Sequence, residues 1–164
     1  MRFIKCGAER AEELSTYLHP IWHEVFDNMM TGGPDEAEYI FSNWMNPDSV
    51  KDDMEHGYEY GFIEESGVRI GLYSWHIQDN GKFYINKLYL QPECRGKGLG
   101  NKALLSMFEI ARENNCKEAY LHVYYWNERA IKAYERAGMH LEYRCLQMIG
   151  NGIARNDYIM GIAL

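Results

Sequence analysis

Cysteine is sparse in this chain, cationic side chains are outnumbered, and no long apolar run occurs. The four cysteines, Cys6, Cys94, Cys116 and Cys145, are scattered and form no C-x-x-C pair. That excludes a disulfide framework and a thiolate zinc site, and it predicts reduced thiols in a cytoplasmic setting. No window approaches the roughly 20 apolar residues of a membrane span, so no membrane partner is expected. The opening MRFIKCGAER turns charged too early for a signal peptide. Lys and Arg total 17 against 24 Asp and Glu, for a formal net charge of −7. An acidic surface argues against a nucleic-acid partner, because duplex binding rests on Lys and Arg at phosphates. It is compatible with a cationic small molecule. No repeat, low-complexity tract or linker interrupts the 164 residues, which predicts one domain over 1–164.

The first part of the chain reads as helical. Residues 8–18 form a short helix, His19-Pro20 interrupts it, and Pro20 suits the first position of a second helix. In that second helix Ile21, Val25 and Met29 recur at helical spacing beside Trp22 and Phe26. Gly32-Gly33 ends it, Pro34 opens another, and Asp48 to His56 form one more. Strands follow: YEYGFIEESG and VRIGLYSWHIQ flank a Ser66-Gly67 turn, and Asn80-Gly81 leads into KFYINKLYL. A helix over 98–114, the strand EAYLHVYYW, a helix over 128–137 and a hairpin turning at Gly150-Asn151-Gly152 complete the chain. The order predicts a mixed α/β fold whose central sheet is flanked by helices.

The stretch QPECRGKGLGNKALL joins a strand-like run to a helix-like run through Gly96, Gly98 and Gly100. Such glycines often serve only a turn. Three at alternate positions supply more backbone freedom than a simple connection needs. They also let a ligand approach main-chain amides at a helix N-terminus, where the dipole favours an anion. Arg95 and Lys97 add local positive charge. A phosphate site is expected here. The Walker pattern is absent, and the dinucleotide pattern fails because its third glycine position is Asn101.

A second pattern lies downstream in NERAIKAYERAGM. Asn127, Ala130, Tyr134 and Gly138 recur at three or four residues and so share one helical face, with Asn127 as N-cap and Gly138 as C-terminal stop. A tyrosine on such a helix is ordinarily a core residue with a satisfied hydroxyl.

Together the two segments resemble the GNAT superfamily of N-acetyltransferases. The glycine loop is similar to its acetyl-CoA motif at Arg95, Gly98 and Gly100, and the later segment matches at Asn127, Ala130, Tyr134, Gly138 and Met139. The resemblance implies a mostly antiparallel sheet of about six to seven strands, splayed at the CoA site. It implies acetyl-CoA as cosubstrate, bound by Leu88, Tyr89 and Leu90 of the splayed strand, by the loop Arg95, Gly96, Lys97, Gly98, Leu99 and Gly100, and by Asn127. A main-chain amide at Tyr89 or Leu90 would stabilise the oxyanion, and Tyr134 would protonate the departing thiolate. HPIWHEVFDNMM, KLYLQPECRGKGLG and NDYIMGIAL are further similar to bacterial spermidine/spermine acetyltransferases.

Many relatives place a Glu where this chain has Asn86. Asn86 is no base at neutral pH, but it can orient a water. His76, Glu64, Glu65 and His122 are other candidates for the base, although a strand histidine is more often structural. No His, Cys or carboxylate set is read at metal-ligand spacing, so no metal is expected. Trp22, Tyr39, Phe41 and Trp44 read as core residues, with the wall of an aromatic pocket as the alternative. The expected activity is acetyl transfer to a primary amine of a small molecule such as a polyamine, by a monomer or homodimer. A protein N-terminus or lysine as acceptor, and a non-catalytic CoA-binding module, remain alternatives.

Overall fold

A computed structural model describes residues 1–164. Seven strands form one sheet in the order β1-β2-β3-β4-β5-β7-β6, with five α-helices. The strands are β1 (Arg2–Cys6), β2 (Glu59–Glu65), β3 (Val68–Ile77), β4 (Phe83–Leu90), β5 (Glu118–Tyr124), β6 (His140–Gly150) and β7 (Ile153–Ala163). The helices are α1 (Ala11–Phe26), α2 (Gly33–Trp44), α3 (Pro47–Glu55), α4 (Leu99–Glu113) and α5 (Glu128–Arg136). This is the mixed, mostly antiparallel α/β sheet expected from the sequence. No helix is long and apolar enough to cross a membrane.

Contacts gather into two compact units. The first comprises Met1–Trp75 with Lys87–Leu99. Its sheet begins with β1, which pairs antiparallel with β2 from Arg2↔Glu64 to Cys6↔Tyr60. β1 carries little signal in the sequence, because RFIKC is only five residues long. The β2–β3 hairpin closes on Ser66 and Gly67, both at positive φ (52° and 78°), as a tight hairpin turn requires. Gly71 on β3 is crowded: a Cβ there would meet the Tyr89 carbonyl oxygen at 2.2 Å.

The expected break at His19-Pro20 is absent. One helix runs from Ala11 to Phe26 with Pro20 inside it. An internal proline costs about 3 kcal/mol. The continuous helix buries Leu14, Leu18, Ile21, Trp22 and Phe26, each worth about 2 kcal/mol, so burial outweighs the lost hydrogen bond. Trp22 Nε1 donates to the Ala37 carbonyl at 2.8 Å, and Ser15 Oγ to the Met45 carbonyl at 2.7 Å. These tie α1 to α2 and to the chain just beyond it. At the other end of α1, Glu13 accepts from Arg10 Nε and from Arg69 Nη1, each at 2.8 Å, while the Arg69 guanidinium lies 3.6 Å from the Phe62 ring centroid.

The second unit comprises His76–Asn86 with Gly100–Leu164. Phe83, Ile85, Leu104, Met107, Phe108, Ala119, Leu121, Val123, Met139, Ile159 and Met160 are buried here. β5 pairs antiparallel with β7, and β7 with β6, through a turn at Asn151 and Gly152. β4 and β5 pair in parallel, and their register spans Phe83↔Ala119 to Ile85↔Leu121. That ladder stops five residues before β4 ends at Leu90.

Candidate active site

Leu88, Tyr89 and Leu90 close β4, beyond the last rung shared with β5. Pro92 to Cys94 then make a single 3₁₀ turn, and Gly96 and Gly98 follow with φ of 73° and 77°. A side chain at either position is strained by that backbone, yet no atom lies within 4 Å of where its Cβ would be. The glycines therefore serve conformation and an open approach, not tight packing. α4 begins at Leu99, so Leu99 and Gly100 stand in its first turn, where the backbone N–H groups have no intrahelical acceptor. The helix is fifteen residues long, and the positive end of its dipole lies at this first turn. Open space beside the two glycines, first-turn amides and the exposed Lys97 suit a pyrophosphate.

Arg95 is held differently from the rest of the loop. Its Nε donates to the Leu90 carbonyl at 3.1 Å and its Nη1 pairs with Glu24 of α1. This side chain fastens the loop to the end of β4 and to α1. Tyr89 packs near Trp22, with ring centroids 6.3 Å apart.

In the second unit, Asn127 caps α5: its Oδ1 accepts from the Ala130 N–H at 3.2 Å. The helix ends in a Schellman arrangement, with Met139 N–H donating to the Tyr134 carbonyl and Gly138 N–H to the Glu135 carbonyl, both at 3.0 Å. Gly138 takes φ 95°, which this ending requires. The glycine and methionine of the NERAIKAYERAGM pattern thus terminate the helix on the backbone of Tyr134 itself. The Tyr134 ring keeps part of its surface exposed, while desolvation pushes its phenol up to about 12.

Asn86 is half-buried on β4. Of the other candidates for the base, Glu64 sits opposite Arg2 in one ladder and Arg69 in the next. His122 Nδ1 lies 3.6 Å from Asp157, whose buried carboxylate also receives Arg155 at 2.7 Å. His76 and Glu65 are half-buried on β3 and β2. Of the four N-terminal aromatics, Trp22 and Phe41 are core, and Tyr39 packs edge-on to the more exposed Trp44.

One constellation lies outside the residues expected from the sequence. His19, His23 and Glu38 bring three potential ligand atoms within 4.8 Å of one another. The signal was H-x-x-x-H on a helix, hidden because the expected break at Pro20 assigned the two histidines to separate elements.

A family model described as Acetyltransferase (GNAT) family matches residues 18–139. Among curated proteins, thialysine N-epsilon-acetyltransferase of Bos taurus is 34% identical over 73 residues, covering 43% of each chain. Spermine/spermidine N(1)-acetyltransferase of Bacillus subtilis is 32% identical over 71 residues, 42% of this chain and 47% of that one. The chain thus spans less than half the length of these relatives. The PaiA N-acetyltransferase of Thermoplasma acidophilum, solved in complex with coenzyme A, superposes with a TM-score of 0.78 over 99% of this chain and 98% of that one, at 19% identity. At that identity the likeness is one of fold. Because the family model covers most of the chain, including the stretches that hold both sequence patterns, the chain belongs to the GNAT acetyltransferase family.

Proposed function

We propose that this protein transfers the acetyl group of acetyl-CoA directly to a primary amine of a small molecule, with a polyamine as the first candidate. The observation that carries the reading is the glycine turn: Gly96 and Gly98 at positive φ with open space beside them, at the head of α4. Bound there, acetyl-CoA supplies an activated thioester. The amides of Gly96 to Gly100 and the Lys97 ammonium hold its pyrophosphate. The main chain of Leu88 to Leu90, beyond the β5 ladder, lines the pantetheine arm, and Asn127 contributes at the head of α5. A main-chain N–H at Tyr89 or Leu90 donates to the acetyl oxygen as negative charge builds on it.

The amine nitrogen forms the new bond to the acetyl carbon as the carbon–sulfur bond breaks, and Tyr134 delivers its proton to the leaving sulfur. A phenol at about 12 keeps that proton throughout the neutral range. The same desolvation raises the basicity of a thiolate formed beside it, which keeps the two matched. Asn86 orients a water that takes the proton of the incoming ammonium, since a carboxamide cannot accept it itself. Relatives named for thialysine and for spermine/spermidine support an amine acceptor, and the net charge of −7 suits a cationic one. The four cysteines are free thiols, in keeping with a reducing, cytoplasmic setting.

Asn86 favours a second reading, a CoA-binding module without catalysis. A panel of small amines, peptides and polyamines with acetyl-CoA, followed by release of free thiol, separates the two. Turnover with small amines supports the proposal. Binding of CoA with no thiol release from any amine supports the module, and turnover confined to peptides moves the acceptor to protein.

A further inference from the structure

We propose that His19, His23 and Glu38 form a binding site for a single divalent transition metal of the zinc class, joining α1 to α2. His19 and His23 stand one helical turn apart on α1, and both rings turn to the same oxygen of Glu38 on α2. His19 Nε2 lies 2.8 Å and His23 Nε2 2.7 Å from Glu38 Oε2. Three donor atoms from two helices therefore converge on one point.

The outer contacts are those of a ligand set. The other ring nitrogen of His23, Nδ1, meets Asp27 Oδ1 at 2.5 Å. With the proton on Nδ1, the Nε2 lone pair points inward, which is the arrangement a carboxylate imposes on a metal-binding imidazole. The second oxygen of Glu38 accepts from Ser42 Oγ at 2.6 Å. The His19 ring meets Phe41 edge-on, with centroids 4.7 Å apart at 89°. Each ligand thus has a partner that sets its orientation from outside.

The site opens to solvent, with side-chain exposures of 46% for His19, 48% for Glu38 and 20% for His23. A metal has an entry path, and water completes a fourth position. Tetrahedral ligands on zinc at about 2.0–2.1 Å stand about 3.3 Å apart. Both histidine–glutamate separations are shorter, so Glu38 must retreat by roughly half an ångström, a small rotation for an exposed side chain. Two imidazoles and one carboxylate select zinc, cobalt or nickel over magnesium or calcium, which take oxygen ligands.

The metal has a structural consequence in this unit. The residue after His23 is Glu24, which pairs with Arg95 of the glycine loop, and the residue before it is Trp22, which bonds to α2 through Ala37. Clamping this turn of α1 holds both contacts.

The test does not depend on acetyl transfer. The full chain, stripped with a chelator and dialysed, is titrated with zinc chloride by calorimetry and in competition with a chromogenic zinc indicator. One equivalent per chain is expected, with a rise in melting temperature. His19→Ala with His23→Ala should weaken that equivalent by at least about 100-fold and abolish the thermal shift. Glu38→Gln, which keeps the side chain's size, should weaken it while the apo protein stays folded. Asp27→Ala should cost roughly 10-fold through loss of the outer contact. Cobalt should give the visible bands of a nitrogen- and oxygen-ligated four-coordinate ion, without thiolate charge transfer. Three results overturn the proposal: no saturable equivalent, an equivalent unchanged in the double histidine variant, or magnesium or calcium binding as tightly as zinc.

Discussion

Tyr134 gains its position from the residues that start and stop its own helix. Asn127 starts α5, Gly138 and Met139 stop it on the Tyr134 carbonyl, and the phenol between those caps is desolvated to about 12. Tyr134→Phe should lower kcat by about 10²–10⁴-fold and leave acetyl-CoA affinity within about twofold; a steady-state and binding comparison checks it. Wild-type turnover should show no falling alkaline limb up to about pH 10, because the phenol holds its proton there. Gly98 carries a different load. Its φ of 77° disfavours any side chain, and its open flank admits a ligand. Gly98→Ala should weaken acetyl-CoA binding by about tenfold with a loss of stability of about 1 kcal/mol. Calorimetry with CoA and a thermal melt separate the two effects, and an intact affinity would remove the loop as pyrophosphate site.

Among the elements, α1 holds the first unit together. It passes through Pro20 because its buried face is worth more than one hydrogen bond, and it is anchored near its start by Glu13. Hydrogen bonds from Arg10 first, then Arg69, hold the Glu13 carboxyl at about 2 against an ordinary 4.5. A lowered carboxyl stabilises the fold above its unfolded value and loses that contribution as pH falls from about 4.5 towards 2. Glu13→Gln should therefore melt about 2 °C below wild type at neutral pH, a small difference suited to an exposed pair, and the two curves should merge near pH 2. α5 was legible from cap to cap, because capping acts within a few residues. α1 was not, because a proline's local cost is overruled only by a core that distant strands and helices help to build.

For the whole molecule, charge is the property that reaches furthest. A net charge of −7 attracts polycations from solution, an attraction that salt screens over about 10 Å. If a polyamine is the acceptor, kcat/KM should fall several-fold from low to physiological ionic strength, and more steeply than for a monoamine of similar size. Equal slopes would show that the surface charge plays no part in capture.

By itself the sequence determined what short-range chemistry controls. The positive φ of Gly96 and Gly98 follows from glycine, the Ser66-Gly67 hairpin from turn geometry, and the bounds of α5 from Asn127 and Gly138. The pattern of Arg95, Gly98, Gly100, Asn127 and Tyr134 could likewise be read along the chain. Only the tertiary structure decided the rest: β1 as a partner of β2, an unbroken α1, the end of the β4–β5 ladder at Ile85, the tie from Arg95 to Glu24, and the meeting of His19 and His23 with Glu38. Each of these depends on groups far apart in sequence, where packing and long-range pairing outweigh what any residue prefers alone.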